Sequence, residues 1–337
     1  METVVLALAV AFLIVHGLWV TLSQRQLVQR ERLARQALTN FVVGGDRTPA
    51  EAELRELPPH SQIRLLVEIG RNLVGRDLGT VQTLAADLGV VDRARHQARS
   101  KQWHIRLRGA RLLTMLDSEP DTLLSLLDDP NDAVRAQAVE GAAAHPRPEV
   151  IDKLIALLSD QADLCRFAVQ DTLLRIGPPV IEPLAAHLGR TKSPEATIAL
   201  RIALGMPDHR FVEAAADLAN DPSAECRAAA AQLLGAVGGT APLLVLESLL
   251  DDPAGRVRAA AALGLGMLQH WPASERLAAM LRDRDFEVRR GAALGLQRLG
   301  AAGELVLRRA LTASDPFAAD MARLVLGIAA SREVRRP

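Results

Sequence analysis

A chain of 337 residues with 40 basic and 40 acidic side chains has no net charge, so no long-range field recruits a polyanion. Aromatic residues make up 3% and tyrosine is absent, which leaves too few rings for a nucleic-acid stacking face. Core energy must come from Leu, Ala, Val and Ile packed closely through small residues.

The first element in chain order is an apolar run, residues 3–22, without a formal charge unless His16 is protonated. At about 1.5 Å per residue it spans about 30 Å, the thickness of a bilayer core, and residues 1–22 are predicted to be a transmembrane anchor. A cleaved signal peptide would need a basic start and a small-x-small exit. Here the chain starts Met-Glu-Thr and leaves the run through Trp19-Val20-Thr21-Leu22-Ser23-Gln24. Arg25, Arg30, Arg32 and Arg35 follow, against the single acid Glu31. The positive-inside bias then places the N-terminus outside and the rest of the chain in the cytoplasm, as a single-pass protein of the inner membrane. Trp19 suits an interfacial position.

Residues 23–45 are predicted to continue as a helical stalk and linker, with Leu27, Leu33 and Leu38 available for packing, broken by Gly44-Gly45-Asp46. Residues 46–102 are expected to form an irregular helical N-terminal cap. Within it Thr48-Pro49-Ala50-Glu51 has the form of a capping box with proline at the first helical position. Pro58-Pro59 ends that helix, and Ser61 is placed to cap the next, which turns Ile63, Leu66 and Ile69 to one side.

From residue 103 to 330 the chain repeats. Arg135, Arg166, Arg227, Arg258 and Arg289 are 31, 61, 31 and 31 residues apart, and each has an aspartate six residues earlier, in Asp129, Asp160, Asp221, Asp252 and Asp283. Each arginine follows a small apolar residue, Val134, Cys165, Cys226, Val257 or Val288. A leucine-rich helix, an Asp-Pro turn and an alanine-rich helix opening on apolar-Arg make one step, as in residues 249–264. A fixed period of this length predicts an all-α chain, an α-solenoid of stacked helical hairpins rather than a globule with a catalytic pocket. Ile105-Arg106 fits the pattern as a first repeat. Thr197 and Asp320 stand where arginine is due, so the pattern breaks there. Gly177-Pro178 ends one helix and begins the next. Cys165 and Cys226, two steps apart, should lie about 20 Å from each other, too far for a disulfide. Residues 331–337 form a basic tail.

At these residues the chain resembles bacterial HEAT-repeat proteins of the phycobilisome-lyase-like type. The resemblance implies a structural polar ladder between neighbouring repeats, in which Asp129, Asp160, Asp221, Asp252 and Asp283 pair with Arg135, Arg166, Arg227, Arg258 and Arg289. It also implies a protein-binding scaffold or adaptor, an accessory subunit of a membrane assembly such as an envelope-polysaccharide glycosyltransferase system. Two other classes follow from the repeat type: a chromophore lyase or chaperone, against which the anchor argues, and a nucleic-acid-binding array, against which the balanced charge argues.

No enzymatic chemistry is expected. Deoxyhypusine hydroxylase, a catalytic HEAT protein, carries paired His-Glu iron ligands, and none of the eight histidines here precedes a glutamate. No Cys-x-x-Cys, His-Glu-x-x-His, Walker A or Gly-x-Ser-x-Gly motif occurs. Gly264-Leu265-Gly266 lies in a predicted helix with no strand before it, so it does not cradle phosphate. No cofactor, metal, nucleic acid or small-molecule substrate is predicted; the expected partner is a membrane-associated protein. Interfaces favour Trp and Arg anchors, so Trp103, Arg108 and Arg111, in the first repeat and off the ladder position, are the candidate contact residues. Trp271, before Pro272, is expected to plug the core between hairpins.

Overall fold

Alanine, leucine and arginine favour helix, and the Gly, Pro and Asp clusters between them stop each one. In the computed structural model the described residues are 2–333, without the side chains of residues 2–15, 17, 18, 20 and 328–333. Among them every regular element is helical. The chain divides into two compact units, residues 1–145 and 146–337.

The first unit opens with α1 (Glu2–Val42), one helix of 41 residues. After it come α2 (Arg47–Arg55), α3 (Pro59–Gly70), α4 (Gly75–Asp87), α5 (Val90–Ala98), α6 (Trp103–Met115), α7 (Pro120–Leu126) and α8 (Asp132–Ala142). The second half of α1 is fastened to this unit. Ala34 and Leu38 are fully buried in a core with Leu54, Leu65, Leu66, Val81, Leu84 and Leu116, and Leu27 and Phe41 pack on its margin. Leu33, expected to pack with them, is exposed. Arg35 forks onto Glu68 of α3, with Nη2–Oε2 2.8 Å. Glu31 accepts from the Ser61 hydroxyl at 2.7 Å and pairs with Arg64.

Two local expectations are corrected here. The cap of α2 is Asp46, whose side chain accepts from the Thr48 amide at 3.0 Å. Thr48 therefore lies inside the helix, and Glu51 pairs with Arg47 and Arg55 instead of closing a box. Ser61 also lies inside its helix; α3 starts at Pro59, whose missing N–H costs nothing in a first turn. The predicted anchor, 3–22, lies within α1, with most of its side chains outside those described, and the predicted basic tail, 331–337, runs past residue 333, where the described residues end. Among the described residues no helix is long and apolar enough to cross a membrane.

The second unit contains α9 (Pro148–Ala156), α10 (Asp163–Ile176), α11 (Ile181–Leu188), α12 (Glu195–Leu204), α13 (Val212–Leu218) and α14 (Ala224–Val237). It continues with α15 (Leu243–Leu249), α16 (Gly255–Met267), α17 (Ser274–Met280), α18 (Phe286–Arg298), α19 (Ala301–Ala310) and α20 (Pro316–Glu333). The second helices of successive hairpins, α14, α16 and α18, lie side by side. They approach through glycine: a Cβ on Gly266 would stand 2.4 Å from the Cα and carbonyl oxygen of Gly295, and one on Gly235 would stand 2.5 Å from the Cα of Gly264. The glycines of Gly264-Leu265-Gly266 thus serve helix packing. Gly177 ends α10 at φ +75°, a conformation that favours glycine. Cys165 and Cys226 are buried and free of disulfide. Trp271 does not plug the core; it is 70% exposed, because the 3₁₀ turn Trp271–Ala273 buries Ala273 instead.

Candidate functional site

The recurrent turn is built from its aspartate. The Asp252 carboxylate accepts from the Ala254 amide at 2.8 Å, which fixes the turn into α16. Asp129, Asp160, Asp221 and Asp283 do the same to the amides of Asn131, Ala162, Ser223 and Asp285. Among the described residues, Arg227, Arg258 and Arg289 make no bond to the carboxylate six residues before them, and in all five turns the arginine meets the aspartate's main chain. Its Nη1 donates to the aspartate's main-chain carbonyl, at 2.8 Å for Arg135, 2.5 Å for Arg166, 2.9 Å for Arg227 and Arg258, and 2.7 Å for Arg289.

The other edge of the guanidinium reaches the next turn. Arg227 grips Asp252 (Nε–Oδ2 2.7 Å, Nη2–Oδ1 2.9 Å), and Arg258 grips Asp283 (3.1 and 3.0 Å). In the first unit Arg106 grips Asp129 in the same way (2.6 and 2.8 Å). A planar fork on a carboxylate is the strong, directional form of this pair. Arg106, Arg227 and Arg258 therefore each join their own turn to the following one, and Arg106 belongs to the ladder.

Electrostatics follow from this geometry. Burial opposes the charged form of Asp252, but the Arg227 bond and the Ala254 amide outweigh it and hold the carboxyl below the usual range. Burial likewise works against Asp283, and the Asp285 amide and Arg258 overcome it.

The irregular steps are satisfied locally. Arg166 pairs with Asp163 on its own helix. Asp221, which has Thr197 in place of a preceding arginine, accepts from the Ser193 amide at 3.3 Å. Burial pushes the Asp221 carboxyl up, but the Ser223 and Ser193 donors outweigh it, for a net downward shift.

The three candidate contact residues all lie on α6 and all are exposed, Trp103 at 48%. Trp103 meets His104 edge-on, with ring centroids 6.0 Å apart. A shallow cleft of about 570 Å³ beside them is lined by Lys101, Gln102, Trp103, His104, Arg106, Pro130 and Asn131. His104, Arg108 and Arg111, spaced four and three residues apart, share one helical face. Among the described residues no cluster of His, Cys, Asp and Glu is placed to hold a metal ion.

Family comparison agrees with this architecture. The sequence profile of HEAT repeats matches residues 120–216, 181–266, 212–297 and 244–327. No curated protein matches the chain in sequence. Among solved structures, the fold is similar to Kap121p bound to Nup53p (TM-score 0.54, 14% identity) and to the karyopherin Kap121p bound to the extreme C-terminus of the protein phosphatase Cdc14p (TM-score 0.55, 14% identity). Each alignment covers 88% of this chain and 41% of the other. The chain thus spans less than half the length of these neighbours.

Proposed function

The chain belongs to the HEAT-repeat family, and from that premise we propose that it is a non-catalytic, membrane-anchored scaffold whose array binds a protein partner in the cytoplasm. The observation that carries this is α6. Its buried face holds Ala110, Leu112 and Leu113, while Trp103, Arg108 and Arg111 stand in solvent. An aromatic beside arginines is the composition of an interface anchor. The solved neighbours bound to other proteins support a binding role for this fold. The anchor at 3–22 would raise the array's local concentration beside a membrane partner. An accessory role in an envelope-polysaccharide glycosyltransferase assembly is the specific form proposed.

The test uses the full chain extracted from membranes. Replacing Arg108 and Arg111 together with glutamate should abolish co-purification of the partner while leaving the melting temperature unchanged. Unchanged retention with an intact fold would move the site off α6. Topology is checked separately: reporter fusions after residue 45 and after residue 330 should both read as cytoplasmic. Alkaline-phosphatase activity at either point would overturn the assigned orientation.

A further inference from the structure

The ladder does not end as it runs. Arg289 is only 9% exposed, and its Nη1 donates to the carbonyls of Asp283 and Arg284 at 2.7 and 3.1 Å, as its counterparts do in their own turns. Its Nε–Nη2 edge, the one that grips a carboxylate in Arg106, Arg227 and Arg258, has no acceptor among the described residues. Twenty-five residues beyond Arg227 and Arg258 stand Asp252 and Asp283; twenty-five beyond Arg289 stands Ser314. The adjacent Asp315 is engaged with the Ala318 amide at 2.9 Å. Elsewhere the irregular steps are closed by the chain itself, at Arg166 by Asp163 and at Asp221 by Ser193.

The surroundings of that edge are aromatic and basic. The guanidinium carbon lies 4.6 Å from the Phe317 ring centre and 5.7 Å from that of Phe286. Both rings are about half exposed, at 56% and 49%. Arg282 and Arg284, exposed on the preceding turn, make no ion pair among the described residues, although Asp251, Asp252 and Asp283 beside them are held by Arg276, Arg227 and Arg258. We infer that the Arg289 fork, flanked by Phe286 and Phe317, is a docking site for an aspartate or glutamate of a partner protein that carries an apolar residue next to the acid. The carboxylate would complete the rung from outside, the apolar neighbour would cover the rings, and Arg282 and Arg284 would favour an acidic segment. A second copy stacked head to tail does not fit as well, because its first turn carries Ser100 at the rung position. This site uses residues of the second unit alone and does not depend on α6.

The probe is a fluorescein-labelled peptide with the chain's own turn sequence, residues 249–257, titrated against the full chain in detergent micelles and read by anisotropy. Binding should saturate below about 1 mM. It should weaken at least about tenfold when the peptide residue equivalent to Asp252 is asparagine. The same loss is expected in Arg289→Lys, which keeps the charge and removes the fork, and in Ser314→Asp, which supplies the carboxylate in cis. Ser314→Asp should melt no lower than the wild type, separating occupancy of the fork from loss of fold. Equal binding of the asparagine peptide, full binding by Ser314→Asp, or no saturation would overturn the inference. Concentration-dependent dimerisation abolished by Ser314→Asp would assign the fork to a second copy and overturn it too.

Discussion

Replacing Arg227 with alanine should destabilise the second unit by about 3–5 kcal/mol, the cost of stranding a buried carboxylate whose partner has been removed. The side chain of Asp252 is 6% exposed and that of Arg227 14%, so the carboxylate relies on the fork and not on bulk solvent. The main-chain carbonyls of Asp221 and Pro222 lose their donor as well. Thr197→Ala, at the step without an arginine, should cost about 1 kcal/mol, the scale of one neutral hydrogen bond. Denaturant midpoints of the two variants compare them directly; equal shifts would contradict a ladder made by the arginines.

The same pair sets a pH dependence of known sign. Folding lowers the Asp252 and Asp283 carboxyls, so their contribution is fully present above the unfolded aspartate value, about 3.9. It is lost as pH falls through the lower folded values. The stability gap between wild type and Arg227→Ala should therefore narrow below about pH 4.

Gly266→Val carries the second large effect. The new Cβ would collide with main-chain atoms of Gly295, 2.4 Å away, and neither helix backbone can rotate aside as a side chain would. Forcing α16 from α18 should cost at least about 3 kcal/mol, the upper end of overpacking penalties. Gly79→Val, where a Cβ meets nothing within 4 Å, serves as the control; valine has the higher helix propensity, so stability there should be unchanged or rise by a few tenths of a kcal/mol. Thermal melts that place both variants together would remove close approach as the reason for glycine in α16.

The period of Arg135, Arg166, Arg227, Arg258 and Arg289 was enough to read the hairpins, because a recurrent turn leaves a recurrent signature. The partner of each arginine was less legible. Six residues separate Asp252 from Arg258 in sequence, yet Arg258 takes that residue's carbonyl and the carboxylate of Asp283. Sequence spacing records the turn, while the direction of a guanidinium edge is decided by the neighbouring repeat. Arg289 shows the same limit: Phe317 over its face and Ser314 at the rung are visible only once α18 and α20 lie together. Trp271 misled for a related reason, since an aromatic between hairpins can turn either way and a 3₁₀ turn sends this one to solvent. At the N-terminus, Asp46 and Thr48 are both good caps, and one hydrogen bond to the Thr48 amide decides between them.

The array is proposed to hold a protein partner at α6. This is tested most directly by placing the photo-crosslinker p-benzoylphenylalanine at Trp103 in the full chain in its native membrane. Leu244, 79% exposed on α15, serves as the comparison position. One discrete protein adduct is expected from position 103, absent when Arg108 and Arg111 are glutamate, and none from position 244. Equal labelling at the two positions, or no protein adduct at 103, would contradict that proposal.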